Sequence, residues 1–136
     1  ISNDDLKKLA KKKTPVATLL SHGQSATPQP AVKEFHSNVF SSLLRSGVNL
    51  IIASDDPQRT LRSEINYLNG LSKQNGPDLL RILCENTAGA IFPNRKIGKL
   101  KEGYEASFLV LTDDPFANIL KIRASAFKVK NGTLLK

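Results

Sequence analysis

Two adjacent carboxylates, Asp55 and Asp56, follow the apolar run Val48–Ala53 after one intervening serine and precede Pro57. An acidic side chain at the end of a buried strand is a candidate for acid–base catalysis, because strand ends expose side chains beside a rigid scaffold. Asp56 before proline is typical of a helix N-cap, with Pro57 at the first helical position. Asp55 has no such local role, and it is therefore the candidate catalytic residue of this chain.

The same arrangement of residues recurs later in the chain. Asp113 and Asp114 also follow a short apolar run and precede a proline, in what the sequence indicates is a surface turn. The local pattern is therefore not specific for catalysis. On the pattern alone, both a catalytic role and a purely structural role for Asp55 stay open.

The histidines and the single cysteine add one weaker candidate. His22 follows the apolar run Pro15–Leu20 and is a candidate substrate-binding residue; the alternative is a loop histidine without a role. His36 lies in a helical stretch and is interpreted as a surface or packing residue. Because Cys84 is the single cysteine, the chain cannot form an internal disulfide or a metal site built from several thiolates. The apolar residues around Cys84 in the sequence predict a buried core thiol.

A βαβ unit is predicted to position both candidates. Pro15–Leu20 and Val48–Ala53 are nearly continuous apolar runs, as expected of parallel strands that are buried on both faces. Between them, Ala31–Arg45 places apolar residues on one helical face, and Gly47 follows as a helix stop. Ligands gather at the carboxyl ends of such strands, where Asp55 and His22 lie in the sequence.

Helices flank this unit on both sides. Asn3–Lys13 has helical spacing, with Asn3 as the expected N-cap and acidic residues in the first turn. Two further helices are predicted over Gln58–Lys73 and Pro77–Ala90, with the helix breaker Asn75-Gly76-Pro77 between them.

Beyond Asn94 the sequence changes in character. Short β-favouring runs occur at Ser107–Thr112 and Ala126–Val129, and Asn131-Gly132 is a strong signal for a two-residue hairpin turn. The predicted fold class is therefore α/β in the first two thirds, followed by a small β module.

The composition disfavours several classes of function. With 136 residues, 40% hydrophobic and 24% charged, the chain has the size and balance of a globular domain. The net charge of +8 raises the question of nucleic acid, but only 6% of the residues are aromatic and none is tryptophan. The lysines are not interleaved with aromatic residues as in a base-stacking surface, so we expect no nucleic-acid partner.

Neither a membrane span nor a targeting signal is recognisable in the chain, so the compartment is not assigned. The chain starts at Ile1 and contains no methionine, which favours a piece of a longer protein whose start lies upstream.

Several longer stretches together resemble the amidohydrolase superfamily, in particular its imidazolonepropionase-like branch. Leu44–Asp55 resembles the family's entry into barrel strand eight, which ends in an aspartate, and Leu83–Phe92 resembles the helix that follows. Ile97–Leu111 resembles the return into a small β-sandwich domain, and Phe127–Gly132 resembles its closing hairpin. The chain has Ala53-Ser54 where the family usually has Gly-Thr, and Ser107 where it usually has aspartate.

The resemblance implies a fold and an activity. Residues 1–93 would be the C-terminal part of a (β/α)8 barrel, with strands seven and eight and their helices, and residues 94–136 would be strands of the small β-sandwich domain. The activity would be metal-dependent hydrolysis of C–N bonds, in amides, lactams or related small molecules. Asp55 would ligate the divalent metal and act as acid and base; zinc is the favoured ion, with iron or nickel as alternatives.

Much of such a barrel is not in this chain. A complete barrel needs about 250 residues, and the family's His-x-His metal motif does not occur in the sequence. We therefore expect the chain to be inactive alone, and to associate with the N-terminal remainder of its barrel or with itself as a homo-oligomer. A noncatalytic assembly or ligand-binding module is the alternative function, and a basic nucleic-acid binder is the third hypothesis.

Overall fold

The computed structural model describes residues 2–21, 29–55, 61–71 and 76–135. The chain divides into two compact units, residues 1–75 and residues 76–136. None of the helices formed by these described residues has the length and apolar character that crossing a membrane requires.

A parallel pair of strands organises the first unit. Strand β1 spans Val16–Thr18 and strand β2 spans Leu50–Ile52. The two strands pair in parallel, with Val16 opposite Leu50 and Thr18 opposite Ile52. Helix α2, Pro30–Ser46, lies between them in the sequence, so the predicted βαβ order is confirmed.

Helix α2 begins and ends where its sequence indicates. Pro30 stands in the first turn, where its missing N–H costs no helical hydrogen bond. Gly47 ends the helix with φ +71° and donates its N–H to the carbonyl of Leu44, a left-handed cap that glycine adopts without steric cost.

Helix α1 spans Asn3–Lys12, and the prediction that Asn3 is its N-cap is wrong. The cap is Ser2, whose hydroxyl accepts the N–H of Asp5 while the Asp5 carboxylate accepts the N–H of Ser2. This reciprocal capping box satisfies donors that the first helical turn leaves unpaired. Both hydrogen bonds can form at Ser2 because Asp5 stands three residues later in the sequence.

Helix α3 spans Leu61–Leu71, and α2 packs against both α1 and α3. Phe40 of α2 and Leu68 of α3 are fully buried, as are Leu50 and Ile52 of strand β2. The buried apolar residues of this unit are Leu6, Phe40, Leu43, Val48, Leu50, Ile52, Ile65, Leu68 and Leu71. Strand β2 therefore lies against the helical core of this unit.

The second unit begins with a helical run that changes its winding. Helix α4 spans Gly76–Arg81, a π-helical segment spans Ile82–Thr87, and helix α5 spans Ala88–Ile91. The predicted helix Pro77–Ala90 is thus helical throughout but not α-helical throughout. The Thr87 hydroxyl donates to the carbonyl of Ile82 at 2.8 Å, a side-chain hydrogen bond across the wider turn.

The prediction that Cys84 is a buried core thiol is wrong, because its side chain is exposed. Neighbouring atoms still desolvate the thiol in part, and this together with the nearby Glu85 carboxylate raises the pKa of Cys84 above its ordinary value.

Three antiparallel strands form the sheet of the second unit. Strands β3 (Phe108–Leu111), β4 (Ser125–Lys130) and β5 (Thr133–Leu135) lie in this order, and the 3-10 helix Ile119–Arg123 precedes β4. The predicted hairpin turn is confirmed: Asn131 and Gly132 link β4 to β5, and both have positive φ.

Basic side chains beside this sheet have acidic partners. The Arg95 guanidinium donates to both carboxylate oxygens of Glu105, at 2.7 and 2.6 Å, and it also lies over the Phe92 ring at 4.8 Å from the ring centre. Lys99 contacts the Glu85 carboxylate at 2.8 Å. Part of the basic cluster 95–101 is therefore neutralised within the unit.

Gly98 is the position at which we expect a small side chain to be most harmful. Its φ is +86°, and an added Cβ would overlap the carbonyl oxygen of Cys84. We expect Gly98→Ala to lower the free energy of unfolding by at least about 2 kcal/mol, since it combines a left-handed backbone with overlap against backbone atoms.

The control for this prediction is Gly89→Ala in helix α5. An added Cβ at Gly89 meets no atom within 4 Å, and alanine in a helix is more stable than glycine by up to about 1 kcal/mol. Urea unfolding measures both variants. Equal stability of the two variants would contradict the close approach of Gly98 to the π-helical segment.

Candidate functional site

The carboxyl ends of β1 and β2 form one edge of the parallel sheet, which we call the strand-end edge (residues 19–21 and 53–55). Because Thr18 pairs with Ile52, the chain leaves both strands at the same level. Asp55 lies on this edge, three residues beyond the end of β2, and it is exposed. Open parallel sheets bind ligands at such an edge, so Asp55 is accessible to a substrate there.

Two further residues of the sequence prediction lie outside the described residues. His22, the candidate substrate-binding residue, follows Ser21 directly in the sequence, and Asp56, the expected helix cap, follows Asp55. The comparison residues Asp113 and Asp114 lie in an exposed turn, where the Asp114 carboxylate accepts the N–H of Phe116 at 2.9 Å. The prediction of a surface turn at that position is confirmed.

Glu64 holds the β1 side of the strand-end edge, and the sequence analysis did not find it. One carboxylate oxygen accepts the N–H of Leu20 at 3.0 Å, and the other accepts the N–H of Ser21 at 2.8 Å. The side chain is only 2% exposed. Hydrogen bonds of this kind, to an ionised acceptor, are among the stronger ones in proteins.

A signal for Glu64 is present in the sequence of helix α3. Ile65, Leu68 and Leu71 form the buried stripe of this helix, and Glu64 falls on the same stripe rather than on the exposed face. A charged residue in an apolar stripe needs partners, because burying an unpaired carboxylate is costly. The stripe identifies Glu64 as unusual, but its partners lie more than forty residues earlier and are not visible in the sequence.

Tyr67 lies near this carboxylate and contacts His36. Burial, and secondly the negative charge of Glu64, raise the pKa of Tyr67 above its ordinary value of 10.0. The Tyr67 hydroxyl is hydrogen-bonded to Nδ1 of His36 at 2.7 Å, and the two rings meet edge to face at 5.7 Å between centres. His36 therefore joins α2 to α3, which agrees with the packing role predicted for it.

A hydroxyl group joins the two strands at the same edge. Thr18 is buried, and its hydroxyl donates to the carbonyl of Ile51 at 3.3 Å. The pairing of β1 with β2 and the Glu64 contacts thus restrain the backbone on both sides of Thr18.

The described residues do not by themselves complete a metal site. Asp55 offers a carboxylate, a ligand type that divalent ions accept. Across residues 2–21, 29–55, 61–71 and 76–135, however, no three side chains of His, Cys, Asp or Glu come together as a metal site requires. This part of the chain can supply one metal ligand at the strand-end edge, and any others would come from elsewhere.

Comparison with known proteins finds similarity to amidohydrolases. No protein-family model matches the chain. A stretch of 56 residues is 38% identical to YtcJ of Bacillus subtilis (strain 168), a protein named as an amidohydrolase; it covers 33% of this chain and 11% of YtcJ.

Solved structures share the fold over nearly the whole chain. The crystal structure of an amidohydrolase superposes with a TM-score of 0.71 and 17% identity, covering 99% of this chain and 37% of that one. An amidohydrolase from Thermotoga maritima MSB8 gives a TM-score of 0.66 with 24% identity, covering 98% of this chain and 34% of that one. The predicted resemblance to the amidohydrolase superfamily is confirmed, and the chain spans well under half the length of these relatives.

The Tyr67 pKa provides a test of the charge on Glu64. We expect Glu64→Gln to lower the pKa of Tyr67, because the substitution removes a negative charge that disfavours tyrosinate. Since the folded protein holds this proton more tightly than the unfolded chain does, the associated stability is present below pH 10.0 and is lost as the pH rises through the raised pKa.

An alkaline titration followed by tyrosinate absorbance measures this pKa. In the 136-residue polypeptide, Tyr104→Phe leaves Tyr67 as the single tyrosine, since its sequence contains 2. An unchanged or higher pKa in the Glu64→Gln protein would show that Glu64 carries no charge near Tyr67.

Proposed function

We propose that this chain is the C-terminal part of a metal-dependent amidohydrolase, with Asp55 as its catalytic carboxylate. The observation that carries the proposal is the exposed position of Asp55 on the strand-end edge, in a fold shared with amidohydrolases. In this proposal β1 and β2 are strands seven and eight of a (β/α)8 barrel, and the sheet β3–β5 belongs to a small β-sandwich domain.

Hydrolysis of a C–N bond requires two proton movements that one carboxylate can make. Water attacks the carbonyl carbon, and Asp55 takes a proton from it as the new C–O bond forms. The C–N bond then breaks, and Asp55 returns the proton to the leaving nitrogen. Its exposure leaves the carboxylate accessible to water and to a small amide or lactam.

A divalent metal fits this proposal only with help from other residues. When bound, such an ion supplies the acidity that makes water a nucleophile near neutral pH. Asp55 is the ligand that this chain would contribute, and zinc is the favoured ion, with iron and nickel as alternatives. His22 is proposed as a substrate contact because it directly follows Ser21 in the sequence.

Asp55→Asn in the full-length protein tests the assignment. Asparagine keeps the size of the side chain but does not accept the proton, so we expect kcat to fall by a factor of about 10²–10⁴. Hydrolysis of para-nitroformanilide, para-nitroacetanilide and a cyclic imide measures the activity on two classes of C–N bond, acyclic anilides and a cyclic imide.

Asp113→Asn is the matched control, because Asp113 stands in the same Asp-Asp-Pro sequence but in an exposed turn, where it pairs with Lys121 at 3.4 Å. It is expected to leave kcat within about twofold, as is usual for exposed surface positions. Equal activities of the two variants would exclude a catalytic role for Asp55, whereas a wild-type protein that hydrolyses none of these compounds would favour a noncatalytic amidohydrolase-like module.

The proposed partner is the N-terminal remainder of the same barrel. Strands β1 and β2 pair only with each other in the described part of the chain, and two strands alone are marginal in water. The register of the second sheet places five apolar side chains on one face, and two of them, Phe127 and Leu134, are 44% and 60% exposed. The apolar face consists of Phe108, Val110, Phe127, Val129 and Leu134.

We expect the isolated 136-residue polypeptide to self-associate through these surfaces, since exposed apolar area of this kind favours association. Light scattering after size exclusion measures its mass, and Leu134→Lys should reduce the associated fraction. Co-expression with the N-terminal part should replace self-association by a one-to-one complex. A monodisperse and fully folded monomer of the isolated chain would contradict the proposal.

A further inference from the structure

We infer that Glu64 is a positioning residue of the proposed active site: it fixes the carboxyl end of β1 at the strand-end edge, beside the strand that carries Asp55. The expected effect of Glu64 on catalysis rests on the proposed function. Glu64 itself is not proposed to touch substrate, because it is buried and both of its carboxylate oxygens are engaged with the backbone.

The contact is built as a bridge. Each Glu64 oxygen accepts one of two consecutive N–H groups, those of Leu20 and Ser21. Consecutive amides point to the same side only when the chain turns, so a carboxylate that binds both of them selects the turned backbone. Strand β1 ends at Thr18, and neither amide belongs to the β1–β2 pairing. The carboxylate thus accepts backbone hydrogen bonds beyond the end of β1, as the pairing with β2 does within the strand.

The bridge also determines where β1 ends relative to β2. Glu64 belongs to α3, and α3 contacts β2, the strand that precedes Asp55. The buried residues Ile65 and Leu68 place α3 in the core of the unit. One rigid helix is therefore packed against β2 and hydrogen-bonded to the end of β1. Helix α3 thereby couples the two sides of the strand-end edge.

The burial of the carboxylate makes the bridge specific. A glutamine at this position has one acceptor oxygen, and its amide group would face an N–H donor. An aspartate keeps the charge but draws both oxygens back by one methylene. Only glutamate offers two charged acceptors at this reach, so both substitutions are expected to release at least one of the two amides.

Hydrogen exchange of the full-length protein tests the bridge directly. In the wild-type protein the amides of Leu20 and Ser21 should be protected although they lie beyond β1. In Glu64→Gln the exchange rate of these two amides should rise about tenfold or more, which corresponds to the loss of one hydrogen bond to a charged group. Glu34→Gln, the same change at an exposed position of α2, is the control and should leave both rates unchanged.

The kinetic part of the test separates positioning from folding. If a variant is only partly folded, its apparent kcat falls and its KM stays unchanged, because the molecules that do fold bind and hydrolyse the substrate as the wild type does. If the carboxyl end of β1 is displaced in the folded protein, both kcat and KM change. With para-nitroformanilide, or whichever amide of the panel the wild type hydrolyses, we expect Glu64→Gln to lower kcat about 10–100-fold and to raise KM at least about threefold.

Each result decides a distinct point. Unprotected amides at Leu20 and Ser21 in the wild type would overturn the inference, even if Glu64→Gln failed to fold. Released amides with an unchanged KM would overturn the catalytic part and leave a structural bridge. Released amides in a protein that hydrolyses no member of the panel would count against the proposed function, while the bridge itself would stand.

Discussion

Parallel pairing of β1 with β2 is the constraint on which the first unit depends. It brings residues more than thirty positions apart in the sequence to one edge, because the strands run in the same direction and Thr18 is level with Ile52. Three residues in each strand provide few hydrogen bonds, so the pair depends on the helices packed around it. Glu64 adds a second constraint where the pairing ends, and together they define the place where Asp55 is exposed.

The elements of this edge could be predicted because their signals are local. Continuous apolar runs identified both strands, and an apolar stripe followed by Gly47 identified α2 within a residue at each end. The turn at Asn131-Gly132 was predictable for the same reason, since both residues tolerate the positive φ that a tight hairpin needs. Local backbone chemistry is sufficient for features of this kind.

Features that depend on contacts between distant residues could not be predicted in the same way. The partners of Glu64 are backbone amides of another element, and backbone amides have no signature in a sequence. The π-helical segment uses residue types that also suit an α-helix, and the exposed Cys84 lies within it. The two possible caps of α1, Ser2 and Asn3, are both good cap residues, and the pairing of Ser2 with Asp5 decided between them.

In the candidate site, too, the local sequence pattern was not sufficient, and contacts between distant residues became visible only in the structure. Resemblance to amidohydrolases identified Asp55 where the Asp-Asp-Pro pattern alone could not, because that pattern also occurs in an exposed turn. The structure adds the edge on which Asp55 lies and the buried carboxylate that holds the neighbouring strand end. A charged residue on a buried stripe is thus useful as a general indication that a loop or strand end is being held.

The central claim is that Asp55 faces a metal-dependent hydrolytic centre at the strand-end edge. The most direct test is a crystal structure of the full-length protein with a bound divalent ion located by its anomalous scattering. The account predicts that the ion is in direct contact with the Asp55 carboxylate, with Glu64 still bonded to Leu20 and Ser21. An ion bound elsewhere, with no contact to Asp55, would contradict it.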